Sequence, residues 1–66
     1  MGKVVSSDEA ITAVNKDGWI EVRVTGSHHH FRHPTKLGTV TIPHPYKNLK
    51  KGTVSSIERQ AGIKIK

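Results

Sequence analysis

The chain has 66 residues and no cysteine, and its eleven Lys and Arg against five Asp and Glu give a formal net charge of +6. This length fits one small domain over residues 1–66, and the composition excludes a disulfide framework, a thiolate zinc site and a cysteine nucleophile. No apolar run approaches the roughly 20 residues of a membrane span, and the amino terminus does not resemble a signal peptide, so we expect a cytoplasmic protein.

The first predicted element is a helix over residues 6–16. Ser6 and Glu9 have the spacing of a capping box, and residues 16–18 (KDG) end the helix. Apolar residues at helical spacing form one stripe along this helix, namely Ala10, Ile11 and Val14. The pattern therefore predicts a helix with one buried face.

A strand follows, because the apolar residues Ile20, Val22 and Val24 alternate with polar ones. This alternation predicts that the three apolar side chains face the core. Trp19 stands at the first position of the strand. Strict alternation would put it on the open face, whereas packing under the first helix is equally compatible with the sequence, so its placement stays open at this stage.

The second strand joins the first through a tight turn at residues 25–28. Gly26 occupies the first central position of a type II′ hairpin turn, which pairs Thr25 with His28. The resulting register sets Val22 opposite Phe31, so the apolar residues of both strands share one face. A one-residue slip would break this match.

Residues 34–38 form a predicted turn, and residues 39–42 form a third strand, which Pro43 ends because proline cannot donate to a sheet ladder. A second helix is predicted over residues 51–61, with Gly62 as its C-terminal stop. The order helix, three antiparallel strands, helix predicts an α+β fold with both helices on one face of the sheet.

The opposite face of this sheet is expected to stay open and to carry His28, His30 and Arg32, beside Arg23 of the first strand. Imidazole accepts and releases protons near neutrality, and a basic domain attracts polyanions, above all nucleic acid. One of these histidines could act as a general base or acid beside a phosphate. RNA is the better substrate for such chemistry, because its 2′-hydroxyl is a built-in nucleophile.

Two other interpretations of the histidines remain open from the residues alone. They could be polar residues on a solvated strand face, some of which touch phosphate. Alternatively, His28 and His30 could bind zinc, but a metal site needs at least a third ligand, and the available donors are Glu21 and His44. We expect no metal and no cofactor.

Two blocks of the sequence carry a resemblance to a known family. The first comprises residues 16–19 (KDGW), Arg23, residues 26–28 (GSH) and residues 31–34 (FRHP), and the second comprises residues 52–57 (GTVSSI) and 60–63 (QAGI). Their order and separation are similar to those of the HicA toxin RNases, the mRNA interferases of bacterial toxin-antitoxin modules. The resemblance covers nearly the full chain. Lys51 departs from the family pattern, in which many relatives have proline.

The resemblance implies a compact variant of the double-stranded-RNA-binding fold, α-β-β-β-α. It implies that His28 is the catalytic residue of an endoribonuclease that cleaves mRNA and arrests translation and growth. It also implies a HicB-type antitoxin as protein partner. Further candidates for holding the RNA and its phosphates, chosen by charge and position, are Arg23, Ser27, His30, Arg32, Lys47, Lys50 and Lys51.

Two alternatives from other classes accompany this hypothesis. A non-catalytic RNA-binding module of the same fold would bind RNA and leave it intact. A small metal-carrying or interaction protein would use the histidines as ligands or as polar surface.

Overall fold

The structure, a computed structural model, describes residues 4–65, so residues 1–3 and 66 of the predicted domain lie outside the described residues. Within this range the elements are α1 (Ser7–Lys16), β1 (Ile20–Thr25), β2 (His28–Arg32), β3 (Val40–Pro43) and α2 (Lys51–Ala61). The strands form one antiparallel sheet in the order β1-β2-β3, and both helices pack on one of its faces. The predicted α+β fold is confirmed. Neither described helix has the length and apolar character needed to cross a membrane.

The amino-terminal end of α1 has the predicted capping box. The Ser6 hydroxyl accepts a hydrogen bond from the Glu9 N–H at 3.1 Å, and the Glu9 carboxylate accepts one from the Ser6 N–H at 3.2 Å. These bonds satisfy two backbone donors that have no partner inside the helix. Ala10 and Val14 are buried on the face that the apolar spacing predicted.

The carboxyl ends of the two helices are joined by one lysine. The Lys36 ammonium donates to the Asp17 carboxylate at 2.6 Å and to the Ala61 carbonyl at 3.1 Å. The pKa of Asp17 is lowered, chiefly by this hydrogen bond from Lys36. Helix α2 ends as predicted at Gly62, whose φ of 70° is left-handed and whose N–H donates to the Glu58 carbonyl.

The core lies between β3, the centre of β2 and the two helices. Its buried apolar members are Val5, Ala10, Val14, Trp19, Phe31, Val40, Ile42, Val54, Ile57 and Ala61. The structure decides the placement of Trp19, which is 1% exposed. Its indole N–H donates to the Asp17 carboxylate at 3.2 Å, and its ring meets the edge of the His33 ring at a centroid distance of 5.3 Å.

The predicted pairing of β1 with β2 holds near the turn and fails at the far end. Thr25 pairs with His28 as predicted, but a β-bulge between Glu21 and Arg23 places Glu21, and not Val22, opposite Phe31. The prediction that Val22 faces Phe31 is therefore wrong. A bulge inserts one unpaired residue, so every position beyond it changes face relative to strict alternation.

The predicted burial of the apolar residues of β1 is also wrong. Ile20, Val22 and Val24 are 62%, 59% and 47% exposed, respectively. The helices pack mainly against β3, at the other edge of the sheet. Two helices side by side do not reach across to β1, and this strand consequently contributes backbone pairing and no buried side chains.

Candidate active site

The candidate site begins at the tight turn between β1 and β2. Gly26 has a φ of 59°. Among the described residues only glycines have a positive φ, so the φ of Ser27 is not positive. This combination matches the predicted type II′ turn and excludes type I′, which needs positive φ at both central residues. The Ser27 carbonyl accepts a hydrogen bond from the His44 N–H at 2.8 Å, which ties the turn to the loop after β3.

His28 follows the turn as the first residue of β2. Its side chain is exposed, and no hydrogen bond or ion pair joins its ring to another residue in the range 4–65. Both ring nitrogens are thus available to a ligand. The backbone of His28 is held by its pairing with Thr25 on one side and Pro43 on the other.

The predicted open face exists and brings the predicted residues together. Arg23 lies opposite His30 across the β1–β2 pair, and Arg32 lies opposite Ile20. Because side chains alternate along a strand, His28, His30 and Arg32 project from the same face. We use the term open face for the sheet surface that carries Arg23, His28, His30 and Arg32. The side chains of Arg23, His28 and Arg32 are exposed, whereas that of His30 is half-buried.

His30 has a partner that the sequence did not reveal. Thr41 of β3 lies opposite it, and the Thr41 hydroxyl is 3.2 Å from the Nδ1 atom of His30. In β3, Thr41 lies between the buried residues Val40 and Ile42, so its side chain projects from the open face. Alternation along β3 was a usable signal for this contact, but only once the register between β2 and β3 was known.

The next histidine along β2 has a different environment. His29 Nδ1 lies 2.6 Å from a carboxylate oxygen of Glu21, and the His29 ring meets the His44 ring edge-on at 5.0 Å. His44 Nδ1 in turn lies 2.6 Å from the hydroxyl of Ser7, which is 1% exposed. This cluster links β1, β2, the loop after β3 and the start of α1, so its histidines have structural partners.

The cluster bears on the metal interpretation. The sequence suggested Glu21 and His44 as extra ligands beside His28 and His30, yet the structure places both next to His29, on the opposite face of the strand. Among residues 4–65, no group of three or more His, Asp or Glu side chains has the arrangement to hold a metal ion.

His33 is tied into the backbone of the β2–β3 connection. Its Nδ1 accepts hydrogen bonds from the backbone N–H groups of Thr35 and Lys36 at 3.0 and 3.1 Å, which leaves Nε2–H to donate to the Asp17 carbonyl at 2.7 Å. A Cβ added at Gly18 would come within 2.8 Å of this ring. His33 therefore acts as a structural residue, and the close approach explains the glycine after α1.

The predicted lysines lie around the start of α2. Lys50 precedes the helix, no side chain caps its first turn, and no acidic residue is present there. Lys50 also lines an open cleft of about 350 Å³. The other residues of this cleft are Pro43, Tyr46, Asn48, Leu49 and Thr53. Lys47 lines a neighbouring depression beside the start of α1, which shares Tyr46 with this cleft.

Comparison with known proteins assigns the family. Residues 7–63 match the family model described as the HicA toxin of bacterial toxin-antitoxin systems. The chain belongs to the HicA toxin family. Every predicted site residue lies inside the matched range, and the resemblance inferred from the two sequence blocks is confirmed.

A solved structure supports the same assignment for this HicA family member. One chain of the structure titled "HicA3 and HicB3 toxin-antitoxin complex" superimposes with a TM-score of 0.78 and 30% sequence identity. The match covers 94% of this chain and 100% of the other. No curated protein sequence matches significantly.

Proposed function

We propose that this protein is the toxin of a type II toxin-antitoxin module and a metal-independent endoribonuclease that cleaves mRNA. The observation that carries the proposal is the His28 ring at the turn end of the open face, which is exposed and has no hydrogen-bond partner among residues 4–65, with Arg23 and Arg32 on the same surface. Membership in the HicA toxin family supports the toxin role.

The proposed reaction uses the ribose 2′-hydroxyl as nucleophile. His28 removes its proton, and the 2′-oxygen attacks the adjacent phosphorus. The bond from phosphorus to the 5′-oxygen breaks, and that oxygen takes up a proton, which leaves a 2′,3′-cyclic phosphate and a 5′-hydroxyl. Arg23, Arg32 and the Ser27 hydroxyl are the groups we expect to hold the phosphate oxygens, since donors aimed at developing charge stabilise a transition state.

The lysines near α2 are proposed to bind the RNA backbone at a distance from the reacting phosphate. Lys50 and Lys51 lie beside the uncapped backbone amides of the first turn, and Lys47 lies in the preceding loop. Cations and free helix amides both favour phosphate. Replacing Lys51 with alanine is expected to lower the salt dependence of RNA binding by about 0.7 per lost phosphate contact on a single strand. Lys16→Ala, at the end of α1, is the matched control and is expected to leave the slope unchanged.

Cleavage of mRNA would stop translation and growth, which places the proposed activity in the cytoplasm. We also propose a HicB-type antitoxin as the partner that keeps the enzyme inactive. The solved HicA3–HicB3 complex supports such a partner. The net charge of +6 would steer an acidic inhibitor toward the open face.

The decisive experiment incubates purified protein with a defined RNA in EDTA and maps the ends of the fragments. We expect the wild type to produce 2′,3′-cyclic phosphate ends and His28→Ala to lose about 10²- to 10⁴-fold in rate, the usual contribution of general acid–base catalysis. His29→Gln is the matched control, because His29 is the adjacent histidine on the opposite face. Circular dichroism of each variant separates loss of chemistry from loss of fold.

Three outcomes would contradict the proposal in different ways. Intact RNA bound with a steep salt dependence would favour the non-catalytic RNA-binding module of the same fold. Loss of cleavage in EDTA, with metal found by mass spectrometry, would favour a metal protein. Full activity of a folded His28→Ala variant would remove His28 from the mechanism.

A further inference from the structure

The proposed reaction requires two proton transfers, and His28 accounts for one of them. The second must protonate the 5′-oxygen as its bond to phosphorus breaks. We propose that His30 donates this proton and that Thr41 positions the His30 ring for the transfer. This inference rests on the proposed ribonuclease activity and goes beyond it by naming a second catalytic residue.

The strand geometry places the two imidazoles on either side of one phosphate. His28 and His30 are two positions apart in β2 and project from the same face, so their Cα atoms are separated by about 6.5 Å. Each ring reaches about 3 Å to a hydrogen-bonded oxygen. The attacking 2′-oxygen and the leaving 5′-oxygen lie on opposite sides of the phosphorus, so a phosphate between the rings presents one oxygen to each.

The contact with Thr41 leaves one nitrogen of His30 for substrate. Nδ1 is 3.2 Å from the Thr41 hydroxyl, which directs Nε2 away from β3. The proton donor is the imidazolium form of His30, in which both ring nitrogens carry protons, and the neutral ring that remains after the transfer keeps its proton on Nδ1, so Nδ1–H donates to the Thr41 hydroxyl in both states. The same bond can therefore persist before and after Nε2 gives up its proton. His28 has no corresponding contact among the described residues.

The other described histidines are engaged elsewhere. The rings with partners outside the open face are those of His29, His33 and His44. The carboxylate nearest to His30 in the sheet register is that of Glu21, which hydrogen-bonds His29. His30 is consequently the histidine, apart from His28, that the fold leaves on the open face with a ring nitrogen available.

A substrate with a modified leaving group tests the assignment directly. In an RNA whose scissile 5′-oxygen is replaced by sulfur, the leaving group is a thiolate, which needs no proton because a thiol has a pKa of about 8.5. We expect His30→Gln to cleave ordinary RNA about 10²- to 10⁴-fold more slowly than the wild type. It should cleave the sulfur-containing RNA at nearly the wild-type rate, whereas His28→Ala should fail on both substrates.

Variants of Thr41 test its positioning role through the pH–rate profile, which would not change if Thr41 only supported the fold. Thr41→Val should reduce the rate on ordinary RNA and shift the high-pH limb of the pH–rate profile, which reports the proton donor. It should have little effect on the sulfur-containing RNA. Thr41→Ser, which keeps the hydroxyl, should restore the wild-type profile.

The outcomes separate this inference from the proposed function. Equal slowing of His30→Gln on both substrates would assign His30 to phosphate binding and overturn the inference, while leaving the His28 mechanism intact. Full activity of His30→Gln on ordinary RNA would overturn it as well. Failure of the wild type to cleave either RNA would overturn the proposed function and the inference together.

Discussion

Alternate residues of β2 face two environments: one set lies on the open face and includes the candidate catalytic residue, and the other set makes contacts within the fold. His28 and His30 project from the open face, and each keeps at least one ring nitrogen that has no partner in the described part of the chain. His29 and Phe31 project from the other face, where His29 hydrogen-bonds Glu21 and Phe31 is 1% exposed. The same residue type therefore has two different environments within one strand. Position on the sheet, and not the number of histidines, identifies the candidate catalyst.

The largest expected difference between the two faces is in stability. Phe31→Ala removes a fully buried aromatic ring and is expected to cost about 3–5 kcal/mol, enough to unfold a domain of this size. Arg32→Ala, the adjacent residue on the open face, is expected to stay within about 0.5 kcal/mol. Thermal unfolding followed by circular dichroism measures both. Similar losses for the two variants would contradict the assignment of faces.

A second prediction compares a structural histidine with the candidate catalytic one. His33→Ala removes two hydrogen bonds from backbone N–H groups and one to the Asp17 carbonyl, and each contributes about 0.5–1.5 kcal/mol net, so we expect a cost of about 1–3 kcal/mol. His28→Ala removes an exposed ring and is expected to cost less than about 0.5 kcal/mol. Urea denaturation gives the two free energies of unfolding. A larger loss for His28→Ala would show that its ring supports the fold.

Because the side chains of β1 are exposed, we expect a substitution there to leave the free energy of unfolding almost unchanged. Val22→Thr is expected to change the free energy of unfolding by less than about 0.5 kcal/mol, because its side chain is 59% exposed at the bulge. Val40→Thr, in β3, is the matched control and should cost about 1–3 kcal/mol, because it places a hydroxyl in the core. A substantial loss for Val22→Thr would support the unbulged register that alternation predicted.

A pH-dependent effect concerns Asp17, whose pKa is lowered chiefly by the hydrogen bond from Lys36. A carboxyl with a lowered pKa stabilises the folded state above its unfolded pKa of about 3.9, and this contribution disappears as pH falls through the folded value. Asp17→Asn should therefore lower the unfolding temperature at pH 7, with the difference from wild type vanishing in strong acid. A difference that is independent of pH would contradict the ionic origin.

Local patterns sufficed for the helices and for the turn. The capping box at Ser6, the left-handed glycine at Gly62 and the type II′ turn at Gly26 each depend on residues within four positions of one another. The alternation of β2 also placed His28 and His30 on the open face correctly. These features were predictable because backbone conformation and side-chain direction follow from short-range geometry.

Tertiary structure decided the rest. The exposure of β1 depends on which strand the helices cover, and the alternation within β1 contains no information about that. The bulge at Val22 belongs to the pairing of β1 with β2. The burial of Trp19, the contact of His30 with Thr41 and the bond between Ser7 and His44 join residues on different elements. Sequence spacing determines which face a residue occupies, whereas the partner of that residue depends on packing across the whole chain.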